Sequence, residues 1–127
     1  MQIPKPMFLE LAHTKPDAFH VSKSFVLNCY QETKQFPTDE KSALVQQIRR
    51  AAVSVHLNLT EESSRKFLAE RKRFYEISGS LLIEIDTVFD IAVELEYTTK
   101  EKLGQTGTLP VRTFQMLSKM NGQPNAE

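Results

Sequence analysis

The chain has one cysteine, four glycines and no tryptophan in 127 residues, and its formal net charge is zero. Each shortage excludes something. A single thiol, Cys29, cannot close an internal disulfide and agrees with a reducing compartment. Glycine occurs only at 79, 104, 107 and 122, and no Asn-Gly turn joins two alternating segments, which argues against a hairpin-built sheet. Asn121-Gly122 lies beside the C-terminal end, where a helix stop is expected. Zero net charge removes any global attraction to nucleic acid, so such a contact has to come from a local patch. No run approaches the roughly 18 uninterrupted apolar residues of a membrane helix. The opening MQIPKPMFLEL carries two prolines and a glutamate where a signal peptide needs a clean apolar run. The protein is therefore expected to be cytoplasmic and to have no membrane partner.

What the chain does have is helical spacing almost throughout. With 40% apolar and 25% charged residues it has an ordinary globular composition. No repeat or low-complexity tract divides it, so residues 1–127 are expected to form a single domain, with an ordered bundle from about 14 to 120 and a frayed tail at 121–127. The first helix is expected to open at Thr14-Lys15-Pro16-Asp17, with Thr14 as N-cap and Pro16 in the first turn. Ala18, Phe25 and Cys29 form one seam on it; Phe19, Val26, Tyr30 and Thr33 form the next. Pro37 disfavours a helical Phe36 and stops it. Thr38 is expected to cap helix two, with Asp39 and Glu40 at its positive dipole end. At about 100° per residue, Leu44, Val45, Ile48, Ala51, Ala52, Val55 and Leu59 share an arc about 120° wide. Helix three is expected from about Ser64 to Glu94, burying Phe67, Phe74, Ile77, Leu81, Ile85, Val88, Ala92 and Leu95. Leu103, Gly107, Pro110, Phe114 and Leu117 suggest a fourth helix from about Thr99 to Met120, kinked or broken near Pro110. The expected fold is all-α, an antiparallel up-down-up-down four-helix bundle.

A monomeric bundle needs one apolar stripe per helix, and this chain has more. Opposite the core arc of helix two lie Gln46, Arg50, Val53 and Leu57. On helix three Tyr75, Leu82, Phe89 and Val93 form a stripe about 100° from the expected core centre. Apolar surface left over after the bundle closes points to an interface between proteins. The alternative is that helix three sits deep and buries a broader face.

Chemistry-bearing constellations are scarce. His13, His20 and His56 have no metal-ligand spacing, and neither HExxH nor CxxC occurs. Di-metal bundles use Glu-x-x-His on two helices, whereas Glu84, Asp86, Asp90 and Glu94 have no histidine three residues on. Cys29 lies on the apolar seam, as a small core hydrophobe would. No Gly-rich phosphate loop is present. No catalytic residue, cofactor or metal is expected, and the chain reads as a non-enzyme. The basic residues Arg49, Arg50, Arg65, Lys66, Arg71, Lys72 and Arg73 gather around the end of helix two and the start of helix three. They are the candidate contacts for RNA or DNA, whose binding would weaken steeply with salt. Against this, residues 60–76 carry five positive and four negative charges, and Glu61-Arg65 and Glu62-Lys66 have the favourable i, i+4 order of a self-paired helix face.

The run FPTDEKSALVQQIRRAAVSV resembles the signature of the small bacterial four-helix-bundle proteins first met as reading frames in intervening sequences of 23S ribosomal RNA genes. The matching residues are Phe36-Pro37, Gln47 to Val55, Asn58, Glu61, Arg65 and Gly79-Ser80-Leu81, and the similarity extends from about Phe19 to Leu117. Where that family has a proline this chain has His56, and where it has a glycine this chain has Glu62. Histidine in place of proline should let helix two continue unkinked past Val55. The resemblance implies a bundle that assembles into a ring-like homopentamer. The chain is also similar to the accessory proteins of diversity-generating retroelements, which share that architecture and bind nucleic acid through a basic surface. Two functions are thus expected to compete. One is a homo-oligomeric scaffold with a basic rim for RNA or DNA; the other is an adaptor that binds a different polypeptide through its second apolar stripe.

Overall fold

A computed structural model describes residues 16–40, 43–63, 68–108, 110 and 113. The expected cap at Thr14, the residues Arg65 and Lys66, and the tail beyond Met120 lie outside these, as does the side chain of Arg71. Among the described residues there are four α-helices and no strand. They are α1 (Pro16–Thr33), α2 (Leu44–Ser63), α3 (Leu68–Glu94) and α4 (Lys100–Gln105).

Helix α1 starts at Pro16, whose fixed φ suits a first helical position and whose missing N–H is not needed there. It ends at Thr33, and a turn follows in which the Phe36 N–H donates to the Thr33 carbonyl at 3.1 Å. Phe36 then drops into the core at 3% exposure. Helix two does not begin at Thr38 as the capping pattern suggested. Thr38–Glu40 form a single 3₁₀ turn, held by Glu40 N–H donating to Pro37 O at 3.0 Å, and α2 starts at Leu44. The i to i+3 bonding wound at Thr38–Glu40 is tighter than that of an α-helix and is used in such short pieces.

From Leu44 the helix runs unbroken past His56 to Ser63. Val45, Ile48, Ala51, Ala52, Val55 and Leu59 are all buried, and Leu44 packs partly against them, so the expected arc is the buried one. Helix α2 packs most extensively against α3 and next against α1.

Helix α3 is where the expected core shifts. Ile85, Val88 and Ala92 are buried and Leu81 packs on them, but Ile77 and Leu95 are exposed at 36% and 48%. Leu82 and Phe89, assigned above to an outer stripe, are each only 2% exposed and belong to the core cluster. The buried arc of α3 is rotated toward them. A helix contacted on more than one flank hides a wider or displaced arc than spacing alone specifies.

Helices α3 and α4 end alike. After α3, Tyr97 N–H donates to Ala92 O and Glu96 N–H to Val93 O, both at 2.9 Å, with Glu96 at φ 66°. After α4, Thr108 N–H reaches Leu103 O at 3.0 Å and Gly107 N–H reaches Gly104 O at 3.4 Å, with Gly107 at φ 74°. Both are Schellman caps, which need one left-handed residue. Glycine fills that place after α4 and glutamate after α3. Thr99 opens α4, its hydroxyl accepting from Lys102 N–H at 3.1 Å. The helix expected from Thr99 to Met120 therefore stops at Gln105. Pro110 and Thr113 are again helical, and residues 114–120 lie outside the description.

The two caps predict opposite responses. A Cβ on Gly107 would lie 2.8 Å from Asn28 Nδ2, in addition to the φ strain. Gly107→Ala should cost about 1–2 kcal/mol of unfolding free energy, while Glu96→Gly should be neutral or stabilising by up to about 1 kcal/mol. Urea titration of both variants, read by circular dichroism, checks the pair.

Candidate functional site

The adjacent arginines of α2 part company in space. One residue is about 100° on a helix, enough to send them to different neighbours. Arg49 is half-buried and reaches back to α1. Its Nε donates to Thr33 Oγ1 at 2.9 Å, its Nη2 donates to the Tyr30 carbonyl at 3.1 Å, and its guanidinium lies 4.6 Å from the Tyr30 ring centroid. Thr33 Oγ1 in turn donates to the Cys29 carbonyl at 2.8 Å. The last carbonyls of a helix have no partner within it and sit at the negative end of its dipole. Arg49 supplies a cation and donors to that end of α1, so it is committed to structure. Arg50 is exposed, beside Gln46, Gln47, Ser54, Leu81 and Glu84 in a notch between α2 and α3.

Of the other residues proposed for an interface, Gln46 is exposed and Leu57 is 54% exposed, whereas Val53 and Tyr75 are half-buried. Val93 is half-buried against the core. Leu82 and Phe89 are inside the core, so the outer surface of α3 is carried by residues that periodicity did not single out. Ile83 at 69% and Ile91 at 44%, with Ile77 at 36%, are the exposed large apolar residues there among the described side chains, beside the exposed Glu76, Asp86, Asp90 and Glu94. Of the candidate nucleic-acid contacts, Lys72 and Arg73 are exposed on the first turns of α3.

Two buried polar arrangements escaped the sequence reading. Ser22 Oγ lies 2.6 Å from His56 Nδ1 and 3.2 Å from the Phe19 carbonyl, and the His56 ring is tilted against Phe19 at 4.8 Å between centroids. A serine proton given to Phe19 O leaves His56 as donor through Nδ1, a chain that satisfies both side chains. Farther along α1, Glu32 is 2% exposed; its Oε2 accepts from the Thr98 hydroxyl at 2.6 Å, and Oε1 has no hydrogen-bond partner. Spacing could have flagged it, since Ser22, Phe25, Cys29 and Glu32 follow i, i+3, i+7 and i+10 on the buried face. Burial, and secondarily the nearby Glu32, push the Cys29 thiol far up, so it is neutral and unreactive in the folded chain. Among the described residues no three His, Cys, Asp or Glu side chains are placed to hold a metal ion, and no helix is long and apolar enough to cross a membrane.

A family model described as 23S rRNA-intervening sequence protein matches residues 15–119. No curated protein matches the chain.

The Arg49 geometry predicts that Arg49→Ala lowers stability by about 2 kcal/mol, because charge-assisted bonds to the end of α1 are lost. Denaturant unfolding measures this. His56 gives a pH dependence. Burial, and then Lys23, hold its pKa below the ordinary 6.5. Below about pH 6.5 the unfolded chain takes up a proton that the folded chain resists, so stability is complete above that pH and declines as pH falls toward the lower folded value. Unfolding free energies measured from pH 7.5 to 5 should show this decline, and His56→Gln should reduce it.

Proposed function

Because the chain belongs to the 23S rRNA-intervening sequence protein family, we propose that it acts without enzymatic activity, as a cytoplasmic homo-oligomeric scaffold whose basic surface contacts RNA or DNA. In this reading the 127 residues form one antiparallel up-down-up-down bundle that assembles as a pentamer. The antiparallel path is supported by three cross-links between elements. Ser22 near the start of α1 meets His56 late in α2, Thr33 at the end of α1 meets Arg49 early in α2, and Tyr97 after α3 donates to Glu40 before α2 at 2.7 Å.

The observation that carries self-association is the apolar surface left outside the core. Leu57, Ile83, Ile91 and Leu95 are each at least 44% exposed after the helices have packed. Their burial against further copies would remove that surface from water. The nucleic-acid part rests on less. Arg49 is used by α1, which leaves Arg50, Lys72 and Arg73 as the described exposed cations of the cluster. Three charges per copy give weak binding, but a ring presents them several times over, and linked weak contacts combine.

Native mass spectrometry of the purified protein, before and after nuclease treatment, tests both parts. A species of about five times the 14.6 kDa chain is expected, and a 14.6 kDa monomer at micromolar concentration would rule out the scaffold. In filter-binding titrations Lys72→Ala/Arg73→Ala should weaken RNA retention about tenfold at low salt and flatten its salt dependence. Equal retention by the variant would remove the basic surface from the account.

A further inference from the structure

We infer that copies join head to tail, with the outer row of α2 on one copy seated on the outer row of α3 on the next. This deepens the homo-oligomer reading and rests on it. The α2 row carries Arg50 and Leu57, both exposed and seven residues apart. The α3 row carries Glu76, Ile83 and Asp90, all exposed and also spaced by seven. Seven residues are about 10 Å along a helix. With Leu57 placed at Ile83, Arg50 falls level with an acid on either side, Asp90 or Glu76.

Shape and charge agree with that placement. Beside Ile83 lies an open recess of about 410 Å³ lined by Tyr75, Gly79, Leu82 and Pro110 together with the acids Glu76 and Asp86. Gly79 and Ser80 supply no bulk where a leucine from outside would enter. From residue 44 to 60 the only charged side chains are Arg49 and Arg50, and Arg49 is turned to α1. From residue 76 to 94 there are five acids and no base. One of these, Glu84, lines the notch beside Arg50 of its own chain, which leaves the outer acids to face an incoming cation. Two like rows would repel, and unlike rows attract.

The two rows are also different surfaces. Leu81 and Glu84 line the notch shared with α2, whereas Gly79, Ile83 and Asp86 line the recess on the opposite flank of α3. A surface that binds a different surface on an identical copy leaves one of each unfilled after every addition. Such contacts close into rings or grow as fibres, and do not stop at two.

Leu57→Glu and Ile83→Glu test this, with Leu27→Glu as a control because Leu27 is 60% exposed on α1, outside both rows. Each of the first two variants should run as a monomer in native mass spectrometry with an unchanged helical circular-dichroism signal. Mixed together they should form a one-to-one heterodimer, since one keeps an intact α3 row and the other an intact α2 row. Leu27→Glu should keep the wild-type mass. The inference is overturned if Leu57→Glu or Ile83→Glu retains the wild-type mass, if their mixture stays monomeric, or if Leu27→Glu alone dissociates the assembly. A wild-type protein that is itself monomeric would instead overturn the scaffold reading on which the inference stands.

Discussion

Helix α2 is the element against which α1 and α3 are placed. Its inner arc, from Val45 through Ile48, Ala52 and Val55 to Leu59, is almost completely removed from water, and each such large side chain contributes about 1.5–3 kcal/mol on burial. The arc contains Ala51 and Ala52 at its centre, where larger side chains would hold the neighbouring helices farther off. Close packing on this strip fixes how α3 is turned about its own axis. That rotation draws Leu82 and Phe89 inward and leaves Ile77 and Ile83 outside.

The same strip explains why QIRRAAV has two arginines side by side. The flank of α2 next to the end of α1 faces the Tyr30 carbonyl, to which the Thr33 hydroxyl also donates, and Arg49 adds a charged donor there while stacking on Tyr30. One position further round, Arg50 leaves the bundle. A shared residue type in adjacent positions thus serves two unrelated physical needs, one inside the chain and one at its surface. His56 adds a further tie between α1 and α2 through Ser22.

Much of the fold was legible in the sequence because helices announce themselves by period and by their ends. The arc of α2 and the stop before Pro37 followed from residue type alone, and helix three was expected to end at Glu94, where α3 does end. The 3₁₀ turn at Thr38–Glu40 was not legible, since Thr-Asp-Glu is an equally good cap for an α-helix. Nor was the rotation of α3. Apolar residues there cover more than half of the helix circumference, so spacing allows several buried arcs, and only the neighbours choose between them. For the same reason the interface candidates Leu82 and Phe89 came out in the core, while Ile83 lies at the surface. Glu32 was hidden because a charged residue on a buried seam runs against the general rule, and its partner Thr98 lies 66 residues away.

The surface left outside the core is either covered by further copies of the chain or left to water. Site-directed cross-linking reads this directly, and the native cysteine is buried and unreactive, so it gives no background. In a Leu57→Cys/Ile83→Cys chain, mild oxidation should join position 57 of one copy to position 83 of another and produce a ladder of covalent multimers on a denaturing gel. A single monomer band, or pairs linked only 57 to 57 and 83 to 83, would contradict it.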